Sequence, residues 1–246
     1  QFKKVSFQKL KKFDISSFPK PFVIKPNIGF FSLAVYFVRS NEEWPTVLEN
    51  IEQDLERNKD IFPLEVVNTS EFIIEEAIEG EEVAVDAYFD RVGKPVILNI
   101  YHHYHLDASD TGDRLYYTSK KIIQENYEKV YQILMNIQTV TNAKLFPVHL
   151  ELRLDKKNQF GVIEVNPLRF AGFCVGDLAW FAHKINPYKY FFEQIKPEWS
   201  KILKKKSKER HAFVLGDFPK DITLTDVESI DYRKFRKKFQ IGRAHV

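Results

Sequence analysis

The chain has 246 residues, 44% hydrophobic and 15% aromatic with 22 Phe, enough to build a substantial core in one large domain or two small ones. A formal net charge of +3 is too small to argue for a nucleic-acid partner, and no apolar run reaches the ~18 residues that would argue for a membrane partner. A single cysteine, Cys174, excludes an intrachain disulfide framework and fits a reducing compartment, here expected to be the cytoplasm.

Residues 1–21 are basic and Phe-rich and end in Phe18-Pro19-Lys20-Pro21, an extended entry. Residue 1 is Gln, so residues 1–20 read as the end of a preceding region; residues 241–246, IGRAHV, back-translate into a common sequencing-adapter sequence and read as a non-native tail. Phe22-Val23-Ile24 is a short buried strand, followed by Lys25-Pro26-Asn27-Ile28-Gly29 and a second strand over 31–38. Strand, Lys, turn with Gly29, strand is the outline of a phosphate-covering loop, with a point charge from Lys25 and backbone N–H donors from the turn. The alternative is a hairpin with a surface lysine. Trp44, Val47, Leu48, Ile51 and Leu55 recur at helical spacing and predict an amphipathic helix over 43–58.

The stretch EFIIEEAIEGEEVAVDAYFD, residues 71–90, holds a strand at Phe72–Ile74, a break at Gly80 and an alternating strand through Phe89. Its glutamates are either a solvated loop or a hinge between two lobes. A third strand runs from Val96 to Tyr104, with His103 and His105 on one face and His102 on the other. No Cys or acidic residue stands at metal-site spacing from them, so a polar strand end is expected. DASDTGDR, residues 107–114, reads as a surface loop, or as a substrate cover whose only cation is Arg114. Ile123, Tyr127, Val130, Leu134 and Ile137 predict a long helix over 119–140.

The most informative stretch is VHLELRLDKKNQFGVIEVNPLRFAG, residues 148–172. Polar and apolar residues alternate as in a half-buried hairpin. A turn centred on Lys157-Asn158 places Glu151 opposite Glu164 and His149 opposite Asn166. Leu150, Leu152, Leu154, Ile163 and Val165 then face the core. Like charges directly opposite on a sheet repel, unless a cation lies between them or one stays protonated. Hard oxygen donors of this kind suit magnesium; the alternative is a solvated face damped by Arg153 and Lys156. Beyond the hairpin, 177–184 reads as a helix with Leu178, Phe181 and Ala182 inward, 201–210 as a basic solvated helix face, and 211–215 as a last strand.

Three signals stand in order: a strand with a Lys before a Gly turn, the hinge EEAIEGEE, and a hairpin with Glu…Glu-x-Asn. In this order, from about Pro21 to Asp177, the chain resembles the ATP-grasp family of the carboxylate–amine ligase type. The resemblance implies an α+β fold: two α+β lobes with antiparallel sheets enclosing a nucleotide cleft, a small lobe at 21–76 and a large one at 77–240. It implies that Lys25 holds ATP phosphates beneath a loop that includes Gly29. Glu75, Glu76 and Ile78 would read adenine, Glu82 would bind ribose, and Glu151, Glu164 and Asn166 would hold Mg2+. The family places Arg directly after Asn-Pro. Here Leu168 intervenes, and Arg169 and Arg114 are the candidates for steadying the transferred group. The family's second phosphate lysine lies further upstream; none of Lys11, Lys12 and Lys20 is assigned to it.

The activity implied is ligation of a small-molecule carboxylate to an amine through an acyl phosphate. A catalytically silent ATP-binding module and a phosphotransferase are the alternatives. The resemblance leaves the acid, the amine and the oligomeric state open.

Overall fold

A computed structural model describes residues 1–29, 33–58, 68–105, 114–204, 209–216 and 224–237. In chain order its elements are β1 (Phe2–Ser6), α1 (Phe7–Leu10), β2 (Phe22–Ile28), β3 (Tyr36–Val38), α2 (Trp44–Arg57), β4 (Asn68–Glu76), β5 (Glu81–Phe89), β6 (Pro95–His103), β7 (Leu115–Ser119), α3 (Lys120–Thr141), β8 (Phe146–Leu154), β9 (Phe160–Pro167), α4 (Asp177–His183), α5 (Pro187–Phe192), α6 (Trp199–Ile202) and β10 (Arg210–Val214). These fall in one compact unit, Gln1–Val214; a second unit, Leu215–Val246, contains a 3-10 turn at Leu224–Asp226 and α7 (Tyr232–Arg236). Among the described residues no helix is long and apolar enough to cross a membrane.

The fold is α+β, with two antiparallel sheets. The first has strand order β1-β4-β2-β3 and the second β10-β7-β6-β5-β8-β9. The first sheet buries alternate residues of its strands, Phe22, Ile24, Phe72 and Ile74, against Trp44, Val47 and Ile51 of α2. Leu10, Ile15 and Phe18 enter the same core, so residues 1–20 are part of this sheet's packing. Period-2 alternation puts Val23, Lys25 and Glu75 on the opposite face.

The second sheet buries one face under α3. Val83, Val85, Ile100, Leu150 and Leu152 pack there with Ile123, Val130 and Leu134. Ser119 caps α3 by accepting from the Ile122 N–H at 3.3 Å, which satisfies one of the donors a helix start leaves open. The other face of this sheet carries the polar residues described below.

Several expectations are corrected. The second strand is only Tyr36–Val38; residues 30–32 lie outside the described ones. Of the expected inward face of β9, Val165 is 41% exposed. β9 is the sheet's edge strand, and a bulge between the Glu151 and Leu152 pairings interrupts its alternation. In α4 the buried residues are Leu178 and Ala179, and Phe181 is exposed. No single helix spans 201–210: α6 stops at Ile202 and Arg210 begins β10. The covering loop expected before Arg114 lies, from 107 to 113, outside the described residues.

Candidate active site

The polar face of the second sheet follows from its register. On β5, Glu82, Ala84 and Asp86 share this face, because side chains two apart point the same way. Across β6 they stand beside His103, Tyr101 and Asn99, and across β8 beside Arg153, Glu151 and His149. On β9, Glu164 pairs with Glu151 and Asn166 with His149, the pairing expected from the hairpin. One sheet face therefore gathers four carboxylates: Glu82, Asp86, Glu151 and Glu164.

At the hairpin, Asn166 Nδ2 donates to Glu151 Oε1 at 3.3 Å, and His149 Nε2 lies 3.6 Å from the same oxygen. With its amide nitrogen so used, Asn166 keeps a carbonyl oxygen as a lone-pair donor. Glu164 is exposed and has no ion pair or side-chain hydrogen bond among the described residues. Two carboxylates and an amide oxygen form the hard-donor set that magnesium takes, so the residues present fit that ion.

Asp86 is fully buried. Its Oδ1 accepts from His149 Nδ1 at 2.8 Å and from the Ala171 N–H at 2.8 Å, and its Oδ2 accepts from the Tyr101 hydroxyl at 2.7 Å. Burial first, and then the Asp86 charge, push the Tyr101 phenol well above its ordinary value, so it stays a donor. Through His149 and Ala171 this one carboxylate holds both the strand bearing Glu151 and the loop that follows Asn166. Sequence reasoning missed Asp86, His149 and Tyr101 as parts of the site. The available signal was that Asp86 interrupts an otherwise apolar strand, VAVDAYF.

Glu82, expected at the ribose, is 8% exposed. His103 Nδ1 lies 2.7 Å from Oε1; His105 Nε2 lies 3.2 Å and Arg153 Nη2 3.1 Å from Oε2. Burial alone would raise its pKa, but the hydrogen bonds and charges of the two histidines outweigh it and hold Glu82 well below the usual carboxylate range. The expectation that no acidic residue accompanies these histidines is thus corrected: Glu82 sits directly across from His103, on a different strand. Spacing along one strand could not show it.

The hinge joins the sheets and lies on the hairpin. The Ile78 carbonyl accepts from Arg153 Nη1 at 3.3 Å, and Glu79 pairs with Lys156 at 3.1 Å. The Ile78 side chain covers Gly161, where an added Cβ would come within 2.3 Å of Ile78 Cδ1. Gly80 has φ +153°, and a Cβ there would stand 1.8 Å from the Leu154 carbonyl oxygen; only glycine fits. The Glu76 N–H donates to the Gln1 carbonyl at 2.9 Å, so this donor is already engaged. Lys25 pairs with Glu75 at 2.5 Å on the outer face of the first sheet. Gly29 directly follows β2.

Lys11 pairs with Glu52, and Lys20 Nζ donates to the Ile15 carbonyl at 2.9 Å. After Pro167, the additional residue Leu168 takes φ +60° and is 72% exposed. The chain thus absorbs it as a left-handed kink. Arg169, next to it, is exposed and donates to the Phe170 carbonyl at 3.3 Å. Arg114 is partly buried just before β7.

The ATP-grasp domain model matches residues 18–177. No curated protein matches the chain. Among solved structures, an L-amino acid ligase from Bacillus licheniformis superposes with a TM-score of 0.59 at 20% identity, over 79% of this chain and 44% of that one. The biotin carboxylase domain of the Hydrogenobacter thermophilus 2-oxoglutarate carboxylase, a complex with Mg-ADP and bicarbonate, gives 0.55 at 14% identity, over 73% and 37%. The N5-carboxyaminoimidazole ribonucleotide synthetase of Thermotoga maritima gives 0.53 at 17% identity, over 80% and 44%. The chain spans less than half the length of each, and likeness at these identities establishes the fold.

Proposed function

The chain belongs to the ATP-grasp family, and on that premise we propose that it binds Mg-ATP and serves an ATP-dependent ligase that joins a carboxylate to an amine. The observation that carries the reading is the pairing of Glu151 with Glu164 across β8 and β9, with Asn166 two residues on. Two facing carboxylates cost stability as a bare strand pair and make sense as ligands to a divalent ion. The activities of the structurally similar ligase and synthetase, and the Mg-ADP held by the carboxylase domain, support the same reading.

In this mechanism Glu151, Glu164 and Asn166 would hold magnesium, which when bound neutralises phosphate charge. Lys25 exchanges Glu75 for a phosphate oxygen, a compact cation on a flexible stem that can swing between anions. The Glu75–Ile78 hinge, pinned through Arg153 and Gly161, presents backbone groups to adenine, and Glu82 receives the ribose. The substrate carboxylate attacks the γ-phosphorus in line, releasing ADP and forming an acyl phosphate. The amine then attacks the acyl carbon, phosphate leaves, and the amine's proton passes to solvent or base. Arg169 and Arg114 are assigned to the transferred phosphoryl group. The protein forms no covalent bond: positioning and fixed charge carry the rate.

One observation favours a second reading, a binding module without turnover: Leu168 separates Arg169 from Asn-Pro. Mg-ATP should raise the melting temperature of the parent, since a ligand specific to the folded state stabilises it. The gain should vanish in Glu164→Gln and shrink in Lys25→Ala; a parent that ignores Mg-ATP ends the proposal. ADP release that needs both an acid and an amine supports the ligase. Nucleotide binding with no release under any pairing supports the silent module.

A further inference from the structure

We propose that Glu82, His103 and His105 form a binding site for a zinc-class transition-metal ion, distinct from the Glu151–Glu164 pair. His103 lies directly across from Glu82 on the neighbouring strand, and His105 follows just past the end of β6. One ligand atom from each of the three residues lies within 4.8 Å of the others. Two imidazole nitrogens and a carboxylate oxygen are a donor set for zinc-class ions and a poor one for magnesium.

The separations of 2.7 Å and 3.2 Å from Glu82 oxygens to the imidazoles are those of N–H···O bonds. In a tetrahedral site with metal–ligand bonds of ~2.1 Å, ligand atoms stand about 3.4 Å apart. An ion therefore needs the His103–Glu82 pair to part by roughly 0.7 Å, draws the remaining donors in from within 4.8 Å, and displaces the two bridging protons. The surroundings hold the ligands in place. The His103 ring stacks on Tyr116 with centroids 4.1 Å apart and planes within 13°. Arg153 shares Oε2 with His105, donating to it at 3.1 Å, which orients the carboxylate as an outer-shell partner does. His105 Nδ1 is buried without a hydrogen-bond partner among the described residues, so no second bond ties this ring to its present orientation. Three protein ligands leave a fourth position for water or a ligand.

Because the proposed function gives Glu82 to the ribose, the metal and a nucleoside compete for it; this consequence rests on that reading, whereas the metal site does not. The test is titration of the whole chain with Co2+ in magnesium-free buffer, read by visible absorption. One equivalent should saturate the bands. The affinity should fall at least tenfold in His105→Gln, whose ring is at the rim of the cluster, and in Glu82→Gln, while Glu164→Gln should keep parental affinity. Bands that are absent from the parent, or equal in the parent, His105→Gln and Glu82→Gln, overturn the site. Adenosine, which has the ribose hydroxyls and no chelating phosphates, should lower the Co2+ affinity. Adenosine that stabilises the parent but leaves the bands unmoved overturns the competition. Bands that depend on His105, in a parent unresponsive to Mg-ATP, overturn the proposed function and leave the metal site standing.

Discussion

Replacing Asp86 by Asn keeps the size of the side chain and removes one of its two acceptor oxygens. The carbonyl oxygen of Asn can still accept from His149 and Ala171, the two donors now on Oδ1. Its NH2 then meets the Tyr101 hydroxyl, which now donates to Oδ2 at 2.7 Å. Tyr101 is fully buried, so water cannot replace the lost acceptor. A hydrogen bond to a charged partner contributes ~1.5–3 kcal/mol, which sets an expected loss of about 2 kcal/mol. Urea unfolding should show a lower midpoint with an unchanged slope, and the melting temperature should fall by roughly 4–8 °C for a chain of this size. Tyr101→Phe removes the stranded hydroxyl, so the double variant should be more stable than the two single losses predict, by at least ~1 kcal/mol. Losses that add to within ~0.5 kcal/mol would mean that the pair is not coupled and would refute the role given to Asp86. The same substitution should weaken stabilisation by Mg-ATP, because the strand bearing Glu151 and the loop bearing Arg169 both hang on this carboxylate.

Three further outcomes are expected. Gly80→Ala forces a Cβ onto the Leu154 carbonyl and should cost more than ~2 kcal/mol while abolishing Mg-ATP protection; a variant with parental melting temperature and protection counts against the pinned hinge. Leu168→Gly relieves a left-handed non-glycine residue and should raise the urea midpoint by an amount equivalent to ~0.5–1 kcal/mol, with a fall counting against strain at the kink. Burial, and then the nearby His211 charge, push His183 down to about 4 from an ordinary 6.5, so between those values the unfolded chain takes up the proton and the folded one does not. Stability should therefore drop as pH falls across that window and level off below it, by about 1–2 kcal/mol once solvent access to the ring is allowed for. His183→Gln should flatten that part of the stability–pH curve, and an unchanged slope places its origin elsewhere.

The β8–β9 hairpin was legible because one face of it must be buried. Period-2 alternation, with turn residues between the runs, left one register that put the leucines inward, and that register also faces Glu151 to Glu164. The helices α2 and α3 were legible for the same reason at period 3.6. What could not be read was anything set by strands distant in sequence. Asp86 and His149 are separated by 63 residues and Glu82 and Arg153 by 71; their bonds exist only because β8 returns to lie beside β5. The exposure of Val165 has a related cause. Alternation shows which residues share a face, but only strand order shows that β9 is at the edge. Residues 201–210 looked helical because lysine is a good helix former. Pairing with β7 draws Arg210 into a strand instead.

The charge distribution on the polar face argues for where a cation belongs. The protein supplies partners to three of the four carboxylates itself: Glu82 has two histidines and Arg153, Asp86 a histidine, a hydroxyl and a backbone amide, and Glu151 the Asn166 amide with His149 nearby. Glu164 receives no such partner among the described residues, although it stands directly opposite another carboxylate. Opposed like charges on a strand pair destabilise by a few tenths to about 1 kcal/mol, and solvent at the exposed edge keeps the figure at the low end. Glu164→Gln should therefore leave the metal-free protein as stable as the parent or slightly more so, and yet remove the stabilisation by Mg-ATP. A purely structural carboxylate would behave the other way, with a loss in both conditions. The two melting temperatures, each measured with and without Mg-ATP, separate these cases: if Glu164→Gln is less stable than the parent by the same margin in both buffers, the carboxylate pair is a part of the scaffold and not a ligand.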